Sequence, residues 1–248
     1  MEELLIFAFV NLVTSVLSGA AGGGGGLVTA PLMIFLGLSP ATAIATNKFS
    51  GLGISIGTST RFYREKMTDQ KTVIIFSLLG AFGAIVGSLL LVRFSDQQSF
   101  LETLIGLAIL LVGIPMLYAR NLGLKATKRS RYIKFIGLIL LIMGVVLQAA
   151  VGSGMASLQM IIIMAFFGMP ALVASATRRI MDFVVSIIGL TIFAFAGLIN
   201  YRFGIIAFIT ALIGGYLGAH LAVKKGNKFV VNILAVTSAI LALYLIFR

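Results

Sequence analysis

Residues Gly37 to Lys48, GLSPATAIATNK, recur 131 positions later without a gap as Gly168 to Arg179, GMPALVASATRR. Under that offset Gly37, Ala43, Ala45 and Thr46 meet Gly168, Ala174, Ala176 and Thr177, and Lys48 meets Arg179. The register holds beyond the stretch. Asp69 meets Asn200, Lys71 meets Arg202, Gly83 and Gly87 meet Gly214 and Gly218, and Arg93 meets Lys224. A chain built this way uses one unit of about 120 residues twice, and its fold must accommodate two similar halves.

Those halves are too apolar for water. Of 248 residues 60% are hydrophobic and 10% charged, where a soluble domain carries roughly a quarter charged. Ten apolar segments are visible, near 4–18, 24–38, 40–60, 71–93 and 99–119, then near 133–151, 155–168, 170–196, 203–223 and 228–247. A spanning helix needs roughly 20 apolar residues, so the first, second and seventh segments are expected to be too short to cross unaided. Gly22 to Gly26 join the first pair, and Gly152 and Gly154 mark the matching turn. Irregular backbone at membrane depth is tolerated only where protein or a water-filled cavity covers it, so these turns point to broken or re-entrant helices around a transport site. Close helix packing through glycine is the alternative. The expected fold is an all-α polytopic membrane protein of two inverted-topology repeats, each of about five hydrophobic segments. Residues 1–119 form the first repeat, 120–132 a basic cytoplasmic linker, and 133–248 the second repeat.

Charge sets the orientation. A cytoplasmic linker with Arg120, Lys125, Lys128, Arg129, Arg131 and Lys134 places Arg61, Arg64, Lys66, Lys71, Lys224, Lys225 and Lys228 on the same side, against Arg93, Arg202 and Arg248 opposite. That bias follows the positive-inside rule and puts the N-terminus outside. Because five segments is an odd number, the halves face opposite ways. The start, MEELLIF, is acidic and runs into glycine, so no removable signal peptide is read there. The net charge of +12 is a topology signal and implies no nucleic-acid partner. Without cysteine there is no disulfide framework or thiol nucleophile. Gly80, Gly83 and Gly87, like Gly214, Gly215 and Gly218, have the small-xxx-small spacing of close helix contacts. Pro115 is expected to kink the fifth segment. His220, the single histidine, makes a poor metal site and reads as packing or an interfacial hydrogen bond, with proton relay left open.

Ser39-Pro40 is a helix-start pattern. Lys48 follows Pro40 by eight residues, about 12 Å along the axis and near the middle of the hydrocarbon core. Pro170 precedes Arg179 by nine. From opposite sides, both sets of cations reach the midplane. Each costs on the order of 3 kcal/mol to insert and seeks a cavity or partner. Asp182, four residues after Arg178 and three after Arg179, shares a helix face with either, as an orienting partner or a carrier of a coupled proton. Three cations against one anion call for a small anionic substrate; the alternative is that the arginines snorkel or bind backbone carbonyls. Thr46, Asn47, Ser50 and Thr177 add neutral donors, or serve as interhelical hydrogen bonds. A helix beginning after Gly24, Gly25 and Gly26 would turn free N–H groups toward an anion. Gln148, Ser153, Ser157 and Gln159 surround the second turn and line the opposite wall. The glycine run is no nucleotide loop, since no GK[ST] follows.

The Gly-rich turn followed by Pro31, then a Gly-x-x-Pro-x-x-A-x-A-T run, repeated across a basic linker, resembles the TauE/SafE family of sulfite and organosulfur anion exporters over essentially the whole chain. The second half departs from the first: Ile162 stands opposite Pro31, and two glycines remain in its turn. The resemblance implies a multi-pass protein of the bacterial or archaeal inner membrane. Its activity would be secondary transport, as an exporter, of small sulfur-containing anions such as sulfite, sulfoacetate, thiosulfate or other organosulfonates, or of carboxylates. No cofactor and no metal are expected. The partners are the anion, the lipid bilayer and, left open, a coupling proton or cation and a homodimer. A channel, a carrier of another organic anion and a non-transporting membrane subunit are the alternatives. An enzyme is disfavoured, because no clustered His, Cys or paired carboxylates share one depth.

Overall fold

A computed structural model describes residues 2–23, 26–97, 103, 122–152 and 155–246. The described residues form helices α1 (Glu2–Ala21), α2 (Gly26–Phe35), α3 (Pro40–Arg64), α4 (Gln70–Arg93), α5 (Arg131–Val151), α6 (Ala156–Phe167), α7 (Ala171–Phe195), α8 (Tyr201–Lys225) and α9 (Asn227–Ile246), with no strand among them. Gly24, Gly25, Ser153, Pro115 and nearly all of the fifth apolar segment lie outside the described residues.

The helix starts explain several matches between the halves. Asp69 accepts from the Thr72 N–H at 3.3 Å and Asn200 from the Phe203 N–H at 3.3 Å, so one repeat position serves as N-cap to both α4 and α8. Ser39 caps α3 through the Thr42 N–H, with Pro40 in the first turn. Pro170 offers α7 no side-chain cap. Two distant groups replace it: the Ala171 N–H donates to Gly123 O at 2.8 Å and the Leu172 N–H to Asn227 Oδ1 at 2.9 Å.

Helix lengths revise one expectation. α1 runs for 20 residues, about 30 Å, and is long enough to cross, because the helix extends beyond the expected 4–18 at both ends, from Glu2 to Ala21. α2 and α6, of 10 and 12 residues, are half-length, about 15 and 18 Å. By length and composition α1, α4, α5 and α8 qualify as membrane spans among the described residues. α3 and α7, each 25 residues, carry the buried charges instead. The surface is apolar: Leu78, Phe82, Ile85 and Leu89 of α4 and Ile205, Ile209, Ile213 and Leu217 of α8 form exposed stripes at helical spacing. Asn11, Ser18, Lys48, Arg178 and Asp182 are buried. Helices that turn apolar stripes outward and bury charged and polar side chains between them are solvated by lipid.

Packing exchanges elements between the halves. α8 lies against α1 and α3 of the first half, and α4 lies against α5 and α7 of the second. The offset maps α3 onto α7, α4 onto α8 and α1 onto α5, so each of these contacts has its counterpart. Two groups result, α1, α2, α3 with α8 and α5, α6, α7 with α4, meeting mainly along α3 and α7. These groups cut across the sequence halves. Glycines permit the closest approaches: a Cβ on Gly218 would strike Val16 O, and one on Gly87 would strike Val146 O. At the end of this group, Arg61 Nε donates to His220 Nδ1 at 3.3 Å, tying α3 to α8.

Candidate functional site

Helices α3 and α7 place their charges at the contact between the two groups. Lys48, Arg178, Arg179 and Asp182 are 5%, 0%, 2% and 3% exposed, and they are the buried charged residues among those described. Asp182 Oδ2 lies 2.8 Å from Arg178 Nη1 and 3.5 Å from Arg179 Nη1. One helical turn between them brings this about. The carboxylate's other oxygen accepts from Gln148 Nε2 at 2.8 Å. Gln148 also receives Lys48: its carbonyl oxygen accepts from Lys48 Nζ at 3.1 Å. A continuous polar chain therefore runs from Lys48 on α3 through Gln148 on α5 to Asp182 and both arginines on α7.

The arginines also bind backbone, as the alternative reading held. Arg178 Nε donates to Gly22 O at 2.8 Å, and Arg178 Nη1 to Gln159 Oε1 at 3.3 Å. Arg179 Nη2 donates to the carbonyl of Ser18, and to its hydroxyl at 2.9 Å. Both reach from α7 to the end of α1, so both cross between the helix groups, as does Lys48. Their partners do not neutralise them. Three cations face one carboxylate in a region from which water is largely excluded, where an unpaired charge is costly.

The remaining sequence candidates divide. Asn47 is buried next to Lys48, and Thr177 next to Arg178 has a buried hydroxyl without a hydrogen-bond partner. Thr46 accepts from the Asn200 N–H at 3.0 Å and so steadies the start of α8. Ser50 belongs to a separate network, donating to Asn11 Oδ1 at 3.1 Å. Gly26 begins α2. Gly24, Gly25 and Ser153 fall outside the described residues.

Sequence reasoning missed Ser18 and Asn11. Ser18 contributes a carbonyl, which no side-chain pattern announces. Asn11 did carry a signal, being an amide alone in an apolar segment. It is 0% exposed; its Nδ2 donates to Ala207 O at 2.9 Å and Thr210 Oγ1 at 2.7 Å, and its Oδ1 accepts from Thr29 at 3.2 Å as well as from Ser50. One side chain thus joins α1, α2, α3 and α8. Asn11→Ala is expected to cost about 2 kcal/mol, read as a shifted unfolding midpoint in mixed detergent micelles.

The profile of the family described as "Sulfite exporter TauE/SafE" matches residues 7–245. The chain belongs to this family. Among TauE/SafE-like relatives, "Probable membrane transporter protein YfcA" of Escherichia coli (strain K12) is 26% identical over 245 residues, 98% of this chain and 89% of the relative. "Probable membrane transporter protein" of Haemophilus influenzae is 24% identical over 230 residues, 93% of this chain and 89% of the relative. "Probable membrane transporter protein YunE" of Bacillus subtilis is 23% identical over 270 residues, 99% of this chain and 98% of the relative. No solved structure matches the chain.

Proposed function

We propose that the protein is a secondary transporter of the cell inner membrane, working as an exporter of small sulfur-containing anions such as sulfite, sulfoacetate or other organosulfonates. The observation that carries this reading is the excess of buried cations, Lys48, Arg178 and Arg179 against Asp182, at the junction of two helix groups. Family membership and the transporter names of the relatives support it.

The transport cycle is alternating access. Rocking of the two groups against each other must break and remake the contacts that cross between them: Lys48 to Gln148, Arg178 to Gly22 and Arg179 to Ser18. An anion among the cations competes for the same donors, so occupancy and movement are coupled. Asp182 orients both arginines from its position one turn away. The exchanged packing of α4 and α8 supports inverted topology, and the cationic ends of α3 and α8 support a cytoplasmic linker with the N-terminus outside.

In reconstituted vesicles, sulfite flux is expected to saturate and to accelerate with sulfite on the trans side. Arg179→Ala is expected to abolish that flux while the variant still inserts. Wild-type flux in Arg179→Ala contradicts the assignment; conductance far above carrier rates makes the protein a channel.

A further inference from the structure

Helices α3 and α8 run side by side in the same direction. The Asn200 N–H at the start of α8 donates to Thr46 Oγ1, and near the far ends Arg61 Nε donates to His220 Nδ1. Glycine brings the two backbones together between these points, since a Cβ on Gly57 would strike Leu212 O and stand 2.9 Å from Tyr216 N. Side chains flanking that contact do not close over it. A groove of about 290 Å³ remains, lined by Ile56, Gly57 and Thr60 of α3 and by Ile213, Tyr216 and Leu217 of α8.

This lining suits hydrocarbon. Thr60 Oγ1 donates to Ile56 O at 2.8 Å, so that hydroxyl is satisfied within α3, and Ile213 and Leu217 are 48% and 47% exposed. A helix is about 10 Å across with its side chains and exceeds the groove's volume within one turn, whereas an acyl chain needs no such width. The groove leads to charge. Arg64 follows Thr60 by one turn, and His220 and Lys224 follow Tyr216 by one and two turns on the same face. Arg64 and Lys224 stand about 6–12 Å along the helices from the last residues of the groove, comparable with the roughly 5–8 Å of headgroup region on each side of the hydrocarbon core. Arg61 is paired with Glu65 at 2.6 Å, and Lys225 Nζ lies 4.7 Å from the centre of the Phe229 ring. Arg64 and Lys224 are exposed and have no carboxylate partner among the described residues.

We infer that this groove binds one anionic phospholipid, with an acyl chain between α3 and α8 and the phosphate beside Arg64 and Lys224. An apolar cleft that ends in cations at the edge of the bilayer selects a negatively charged headgroup over a zwitterionic one. The bound lipid braces α8 against the helix that carries Lys48.

The chain contains no tryptophan, so the indole of Leu217→Trp reports on the groove alone. In vesicles of phosphatidylcholine, brominated phosphatidylglycerol is expected to quench it with an apparent affinity about fivefold above that of brominated phosphatidylcholine, the factor one basic residue adds beside an anionic lipid. Leu78→Trp on α4 is the control: Leu78 is 68% exposed and lies as many residues from Gln70 as Leu217 from Lys225. There the two lipids should quench alike. Adding Arg64→Gln and Lys224→Gln, both at exposed positions, to Leu217→Trp should bring the ratio to one. Equal quenching by the two lipids in Leu217→Trp overturns the site, as does the same preference in Leu78→Trp or one that survives loss of both cations. Quenching in Leu78→Trp but by neither lipid in Leu217→Trp means that a second copy or another protein covers the groove, and overturns it too. The wild type gives a reading without substitution. Phosphatidylglycerol added to the full chain in detergent should raise the unfolding temperature, whereas phosphatidylcholine with the same chains and free glycerol phosphate should not. No protection by phosphatidylglycerol, or equal protection by either of the others, overturns the inference.

Discussion

Asp182→Ala is expected to lower the stability of the folded chain by about 3–5 kcal/mol, the cost of leaving a buried charge without its partner. The carboxylate faces Arg178 at 2.8 Å, Arg179 at 3.5 Å and the Gln148 amide at 2.8 Å. Alanine removes all three contacts and leaves three buried cations with no carboxylate among them. Asp182→Asn retains an acceptor for Gln148 and is expected to lose less. The pair Arg178→Met with Asp182→Leu removes one cation together with the anion, and should recover part of the loss if charge is its cause. Unfolding midpoints in mixed micelles measure each variant. A midpoint for Asp182→Ala close to wild type would mean that the arginines are balanced without it.

Gly218→Leu is expected to cost about 3 kcal/mol or more, for a reason that involves no charge. The first added carbon would meet Val16 O, Ala20 N at 2.7 Å and Gly19 C at 2.9 Å. These are backbone atoms of α1 and have no rotamer to change, so α1 and α8 must separate. The separation would carry Ser18 away from Arg179, and flux should fall along with stability. Gly144→Ala is the control. Its Cβ would stand 3.4 Å from the Gln159 side chain, an ordinary contact, and its midpoint should lie within about 0.5 kcal/mol of wild type.

The repeat was legible because it is written in residues with local jobs. Asp69 and Asn200 match as helix caps, and Lys48 and Arg179 as cations on equivalent helices. Hydropathy marked where helices lie, yet it carries no information about which helix meets which, so the pairing of α4 with α5 and of α8 with α1 was hidden. The same limit applied within the candidate site. The spacing of Arg178, Arg179 and Asp182 foretold their ion pairs, since one helix holds all three. The carbonyls of Ser18, Gly22 and Gln148 were invisible, because every residue has one and only the fold aims it. Thr46 and Ser50 were drawn to the site by their neighbours in sequence, whereas their hydroxyls point to α8 and α1.

The exchanged fourth helices dictate an order of assembly. During synthesis α4 emerges before α5 and α7, so on entering lipid it meets neither of its two main partners among the described helices, and the approaches of Gly80, Gly83 and Gly87 to Met181, Val145 and Val146 are not yet made. α8 emerges last of its group and finds α1 and α3 already in place. One bundle is therefore closed by its latest arrival and the other by its earliest. A nascent chain stopped after residue 130 has completed neither.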